Sequence, residues 1–230
     1  MELGRVTGLT RYPVKSMQGE DVESAALGPR GLAGDREWAV YTEDGGIGSG
    51  KTTRRFRRVD GLLRYRAVLD GIPLVCPPSG PPLRVDDPAA GEELSRALGR
   101  PLRLQREGAV AHHDESPVHL VTTASLRRIA ALAQGTFDVR RVRANVVLQV
   151  SGDDFAEDAW TGAELTIGDV VLGIGAGMPR CVMVDAEPAR AGSDPKVLRL
   201  LTEVHGMTLG VQAHVLRPGT IRCGDPAVLH

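Results

Sequence analysis

Glu164-Leu165-Thr166-Ile167-Gly168-Asp169-Val170-Val171-Leu172-Gly173-Ile174 holds two short apolar runs on either side of a Gly-Asp pair. Gly at the first central position of a two-residue loop suits the tight turn of a β-hairpin. Each run is rich in β-branched or branched residues and is too short to be a buried helix. The segment therefore predicts a strand, a turn and a second strand.

The same pattern recurs along the chain in both directions. Val6–Thr10, Trp38–Tyr41, Ala67–Leu69, Leu120–Thr122, Asn145–Val150 and Gln212–Leu216 are short apolar runs bounded by turn residues. The sequence carries 28 Gly and 15 Pro, enough punctuation for many short strands, as in a barrel or sandwich. Helices are fewer. Gly91–Gly99 places Leu94, Ala97 and Leu98 on one face and stops on glycine. Ser125–Ala133 follows a Thr/Ser cap, with Leu126, Ile129 and Ala130 aligned. Pro195–Glu203 predicts a third helix. The Pro-rich stretch Gly71–Ala89 reads as a connection between or within hairpins. The fold expected is mainly β (α+β), with two β-barrel-like lobes and a few short helices, divided as residues 1–100 and 101–230.

The chain has 230 residues and a formal net charge of −1, so no overall basic field attracts nucleic acid or an anionic membrane. Arg54-Arg55-Phe56-Arg57-Arg58 and Arg140-Arg141-Val142-Arg143 are local exceptions, either solvated faces or parts of an anion site. No run reaches the roughly 18 to 20 apolar residues of a membrane span, and the N-terminus lacks a secretory core. Three cysteines in no metal-finger spacing argue for a reducing compartment and against a disulfide framework. A cytoplasmic protein is expected.

Gly45-Gly46-Ile47-Gly48-Ser49-Gly50-Lys51-Thr52 fits the phosphate-binding P-loop pattern letter for letter. That pattern works only between a parallel strand and a helix. The following Thr53–Val59 is too basic to be the first helix of a doubly wound core, and β/α alternation is absent elsewhere. The stretch reads as a Gly-rich hairpin tip.

Cys181 stands in Gly175-Ala176-Gly177-Met178-Pro179-Arg180-Cys181, where a flexible Gly-rich loop leads out of an apolar strand. Arg180 beside the thiol would favour the thiolate that binds metal or attacks electrophiles. The alternative is a buried structural cysteine, which is also the reading for Cys76 and Cys223.

Tyr12-Pro13-Val14-Lys15-Ser16, Gly34-Asp35-Arg36-Glu37-Trp38, Ser116-Pro117-Val118-His119-Leu120, Thr123-Ala124-Ser125-Leu126, Arg143-Ala144-Asn145-Val146-Val147, Glu157-Asp158-Ala159-Trp160, Ile167-Gly168-Asp169-Val170, Pro179-Arg180-Cys181 and Pro218-Gly219-Thr220-Ile221-Arg222-Cys223-Gly224-Asp225 follow one another in this order. As an ordered set, from about Leu3 to the C-terminus, they resemble the MOSC superfamily, the molybdenum cofactor sulfurase C-terminal-like proteins, with an N-terminal MOSC β-barrel ahead of the MOSC domain. Their characterised relatives include the amidoxime-reducing components.

The resemblance implies a molybdenum cofactor, a molybdopterin whose metal takes one protein thiolate, and it assigns that ligand to Cys181. A thiolate suits a sulfur-rich metal site. It implies cofactor-binding roles for Lys15, Ser16, Arg36, Thr122, Thr123, Arg143, Asn145 and Arg180. Asp185 takes an acidic position near the substrate, with proton delivery as its suggested role; His119 receives none. Met17 departs from the family, where many relatives have Cys, and the stretch between the lobes is short. No ferredoxin-type cysteines follow Leu229, so electrons would come from a separate ferredoxin or flavoprotein. The function implied is an oxidoreductase reducing N-oxygenated small molecules of the hydroxylamine or amidoxime type. The alternatives are a molybdenum cofactor carrier or sulfur-transfer module using Cys181, and a binding domain with an empty site. Pyridoxal phosphate enters only as a superfamily label, since no lysine-bearing domain for it is present. No nucleic acid and no membrane are expected as partners.

Overall fold

The computed structural model describes residues 1–134, 137–186 and 197–230. Along the chain, β1 (Glu2–Arg11) is followed by the short β2 (Glu20–Asp21), then β3 (Ser24–Gly28) and β4 (Gly31–Leu32). β5 (Trp38–Thr42), β6 (Ile47–Ser49), β7 (Phe56–Arg58), β8 (Arg66–Asp70), β9 (Ile72–Cys76) and β10 (Leu83–Arg84) lead to helix α1 (Pro88–Leu98) and β11 (Leu102–Arg106). Then come β12 (Val118–Thr122), α2 (Thr123–Leu132), β13 (Val146–Gln149), β14 (Glu164–Ile167), β15 (Val170–Pro179), α3 (Val197–His205), β16 (Thr208–Arg217), β17 (Gly219–Arg222) and β18 (Pro226–Leu229).

Seven of these strands close into a barrel in the order β13-β12-β16-β15-β14-β18-β1, with β1 returning to β13. Closure removes the unpaired edge that an open sheet would present. The Gly168-Asp169 turn pairs Ile167 with Val170 as predicted, and Gly168 takes the left-handed φ of 54°. β12 and β13 are parallel, and a parallel pair needs a crossover; α2 supplies it. Alternation along the staves sends Val6, Leu9, Leu120, Leu148, Leu165, Ile167, Leu172 and Val211 into one core. Each fully buried aliphatic side chain there contributes about 1.5–3 kcal/mol. β1 and β3 pair with C-terminal strands, so the chain's beginning and end are built into each other.

A second core lies outside the barrel. The sheet β11-β5-β6-β7, the sheet β10-β9-β8 and α1 cover Val14, Met17, Val40, Leu62, Tyr65 and Leu94. α1 opens on Asp87, whose carboxylate accepts from Ala89 N at 2.9 Å, with Pro88 in the first turn, and ends on left-handed Gly99.

Three expectations need adjusting. The Pro-rich connection contains a strand, β9, which pairs with β8 through a turn at left-handed Gly71. Gly175–Pro179, read as a flexible loop, continues β15; its register against β16 slips around Gly177, and such bulges re-aim a strand end. The approach is close there: a Cβ on Gly177 would press to 3.1 Å on the Thr208 side chain, which would have to give by a few tenths of an ångström. The third helix spans Val197–His205, while the Pro195 expected to begin it lies outside the described residues. Of the P-loop look-alike, Gly45 and Gly46 belong to the β5–β6 hairpin tip, while Ile47–Ser49 is strand β6 and Gly50–Thr52 lead on to strand β7, not to a helix. No helix among the described residues is long and apolar enough to cross a membrane.

Candidate functional site

Where the barrel meets the second core lies an open cleft of ≈ 140 Å³. Lys15, Ser16, Arg36, Arg143, Asn145, Arg180 and Cys181, seven of the residues named from sequence, line it together. They come from four separate parts of the chain, and the fold is what gathers them.

Ser16, Arg36 and Arg143 have φ of 65°, 51° and 56°. Left-handed backbone is costly for residues with a Cβ, and such strain concentrates where a site dictates side-chain direction. The turns are held by specific bonds. Lys15 N donates to Trp38 O at 2.8 Å, and Arg36 N donates to Tyr12 O at 2.7 Å. Tyr12 N in turn donates to Asp35 Oδ1 at 2.8 Å, and Asp35 also pairs with Arg36. Arg36 Nη2 donates to the Arg143 carbonyl at 3.2 Å, and both guanidiniums lie over the Tyr12 ring, at 4.8 and 4.3 Å. Asn145 ties the barrel to this corner, donating to Thr10 O at 3.2 Å and accepting from His119 N at 3.2 Å. β15 delivers Arg180, whose backbone N donates to Met207 O at 2.7 Å and whose Nη2 donates to Val142 O at 2.8 Å. Cys181 follows at the rim, a free, half-buried cysteine.

Five cations line the cleft, Lys15, Arg36, Lys51, Arg143 and Arg180, against the carboxylates of Asp114 and Glu115. In a chain of net charge −1 this is a concentrated positive field. Burial pushes Lys15 down to about 8, with the Asp114 carboxylate opposing it. Burial likewise lowers Arg143 and Arg180 to about 10, so all remain charged at neutral pH. His113 is lowered to about 4 by burial and by the Arg36 charge, and His119 well below its usual value by burial and by Arg180. Both imidazoles are therefore neutral. His119 Nε2 donates to Leu209 O at 3.0 Å, which fixes its tautomer. Among the described residues, buried His113 Nε2 and Arg180 Nε have no hydrogen-bond partner. Both residues line the cleft, and buried polar atoms without a partner are uncommon in folded proteins.

Three residues named from sequence do not line this cleft, although Asp185 lines an adjoining pocket with Ser16 and Met183. Thr122 is fully buried; it caps α2, accepting from Ser125 N at 3.1 Å, and its hydroxyl donates to Glu157 Oε2 at 2.6 Å. Thr123 exchanges hydrogen bonds with the Val150 backbone. Asp185 Oδ1 accepts from Leu198 N at 3.0 Å in the first turn of α3. Lys51 and Asp114 are among the cleft residues that went unnamed. Lys51 belongs to the P-loop look-alike, and the hairpin carries it to the cleft beside Met183; Gly50 permits this, since a Cβ there would fall 2.2 Å from Met183 Sδ. Asp114 is one of two adjacent acids in a loop, and no local signal marks it.

A closed β-barrel joined to a smaller β-rich unit, with a cationic cleft and one cysteine at their junction, is the form of a MOSC protein. Residues 107–228 match the MOSC domain and residues 3–85 the MOSC N-terminal beta barrel domain; the chain belongs to the MOSC family. It is 26% identical over 284 residues to mitochondrial amidoxime-reducing component 1 of Mus musculus, covering 99% of this chain and 83% of that protein. It is 26% identical over 262 residues to molybdenum cofactor sulfurase of Danio rerio, covering 90% of this chain but 31% of that protein. The crystal structure of the YUAD protein from Bacillus subtilis superposes with a TM-score of 0.54 at 13% identity, covering 99% of this chain and 95% of that one, a likeness of fold.

Proposed function

We propose that this chain is a molybdenum-cofactor oxidoreductase that reduces N-oxygenated small molecules with electrons from a separate ferredoxin or flavoprotein. The observation that carries the reading is the single thiol of Cys181 at the rim of a cleft lined by five cations. The residues fit such a group. A phosphorylated pterin needs cationic and hydroxyl donors, which Lys15, Ser16, Arg36, Arg143 and Arg180 supply. Among the described residues no cluster of three or more His, Cys, Asp or Glu is placed to hold a metal. A metal at Cys181 would therefore bring most of its ligands with it, and a thiolate suits a soft, sulfur-rich centre. The names of the mouse and zebrafish relatives agree with this chemistry.

When bound, the cofactor would supply the two-electron redox step. Arg36, Arg143 and Arg180 would fix the anionic end inside the cleft. The Gly-rich turn at Gly50 and the turn after Cys181 would flank the open side where a substrate arrives. In the overall reaction the N–O bond breaks, and two electrons from the donor protein and two protons from solvent release the oxygen as water.

Protein purified from a molybdenum-replete host should hold about one molybdenum per chain, as one thiolate ligand implies, and should turn over an amidoxime with an artificial electron donor. Cys181→Ala should lose both. Full metal retention by that variant would overturn the ligand assignment. A persulfide on Cys181 without turnover would favour the sulfur-transfer alternative.

A further inference from the structure

The carboxylate of Asp114 sits between two ammonium groups. Its Oδ1 accepts from Lys15 Nζ, and its Oδ2 accepts from Lys51 Nζ at 3.0 Å. Both ammoniums also lie over the Phe56 ring, 4.6 and 5.0 Å from its centre. The lysine side chains are 6% and 18% exposed, whereas that of Asp114 is 37% exposed. The cations are thus the walls of the subsite, and the carboxylate is its solvent-facing occupant.

The backbone that presents Asp114 is pinned. His112 Nδ1 donates to Arg36 O at 3.0 Å, so its Nε2 accepts from the Tyr41 hydroxyl, also at 3.0 Å. His112 N donates to Glu107 Oε2 at 2.6 Å, and the Arg55 guanidinium holds the carbonyls of Ala111 and His113. Removing the carboxylate from the subsite therefore requires side-chain rotation toward solvent, with no loop opening. Next to it, His113 lines the same cleft, and its buried Nε2 is without a partner among the described residues.

We propose that Asp114 is a built-in counter-anion: it fills the subsite between Lys15 and Lys51, and a phosphate-type dianion displaces it while monoanions do not. The asymmetry follows from charge. Two ammoniums facing one carboxylate leave an excess positive charge. A phosphate carries more charge and three strong acceptor oxygens, enough to engage both lysines at once. A lone carboxylate from solution offers no more than Asp114 already does, and it pays the entropy of association besides. Asp114 would thus set which anions the cleft admits. The inference rests on the cleft being the anion site of the function proposed above, but it involves no metal.

The test is calorimetric titration of the full chain, prepared without molybdenum cofactor, with inorganic phosphate and with acetate. Asp114→Asn should tighten phosphate binding about tenfold or more, because the ligand no longer competes with an internal charge, and should make acetate binding measurable. Glu115→Gln, at a second carboxylate of the same cleft, should change phosphate affinity by less than about threefold if position matters more than bulk charge. Lys51→Met on the Asp114→Asn background should abolish the gain. Equal gains from Asp114→Asn and Glu115→Gln, or no gain in a folded Asp114→Asn protein, would overturn the proposal. Wild-type protein gives an independent reading: saturating phosphate should move the Asp114 carboxyl ¹³C resonance, and an unmoved signal would also overturn it. Molybdenum content enters neither measurement, so this inference and the proposed function can fail separately.

Discussion

Arg143, on the approach to β13, donates through Nη1 to the carbonyl of Met17 at 2.7 Å, joining the barrel to the N-terminal turn that carries Lys15 and Ser16. The same residue is left-handed at φ 56° and lies over Tyr12. Its backbone strain and its buried charge both oppose folding. Arg143→Gly should therefore cost little stability, because glycine relieves about 1 kcal/mol of left-handed strain as the Met17 bond is lost. Cofactor retention should nevertheless fall by about tenfold, the worth of one charge-assisted contact. Melting temperature and molybdenum content measured on the same preparation separate the two effects; loss of fold with full metal content in the remainder would reverse the assignment.

Thr122 makes the opposite kind of prediction. Its hydroxyl both caps α2 and donates to the buried Glu157 carboxylate, which also accepts from Ser125 Oγ at 2.6 Å. Thr122→Val should cost about 2–4 kcal/mol, a lost cap together with a weakened buried network. Chemical denaturation measures this. Molybdenum per folded chain should be unchanged, and a folded variant empty of metal would return Thr122 to the cofactor site.

Asp185 is separable in the same way. As an acceptor for Leu198 N it needs an oxygen and no proton. Asp185→Asn should keep turnover within about threefold, whereas loss of a proton-transfer group costs about a hundredfold or more. Asp185→Ala should cost about 1 kcal/mol through α3. A hundredfold fall in kcat for the Asn variant at unchanged stability would make the carboxylate catalytic.

These contrasts show how far the sequence alone could reach. The Gly168-Asp169 hairpin, six of the seven barrel staves and the three helices were legible because each is encoded locally, by periodicity of two or 3.6 and by cap and turn residues, whereas β18 went unread. The cationic segments at strand ends were legible too, and seven of their residues do line one cleft. Thr122, Thr123 and Asp185 look the same from sequence, but their side chains bond to a helix cap, to the Val150 backbone and to Leu198 N, a choice that packing makes. Lys51 was obscured by its motif: the Gly-rich tip was correctly separated from nucleotide binding, yet only the β5–β6 pairing shows where the lysine is carried. Asp114 needed the fold entirely, because both its partners come from distant turns.

Lys15 gives the cleft a pH dependence with a definite sign. Burial lowers its pKa from 10.5 to about 8, against the opposing pull of Asp114. Between those two values the unfolded chain holds the extra proton, so this group's contribution to stability improves as pH rises from 8 toward 10.5, and a buried charge is carried at a cost below 8. Anion binding runs the other way, because the ammonium that attracts the ligand is lost as pH passes 8. Lys51, where burial is outweighed by Asp114 and Cys181, is raised, and Arg143 and Arg180 stay charged to about 10. Phosphate affinity should therefore fall with a midpoint near 8, and Lys15→Met should bind more weakly at neutral pH and lose that midpoint. Titrations between pH 7.5 and 9.5 on both proteins, with affinity expressed for the phosphate dianion, decide it: a wild-type midpoint close to 10, or the same decline in Lys15→Met, would remove Lys15 from the anion site.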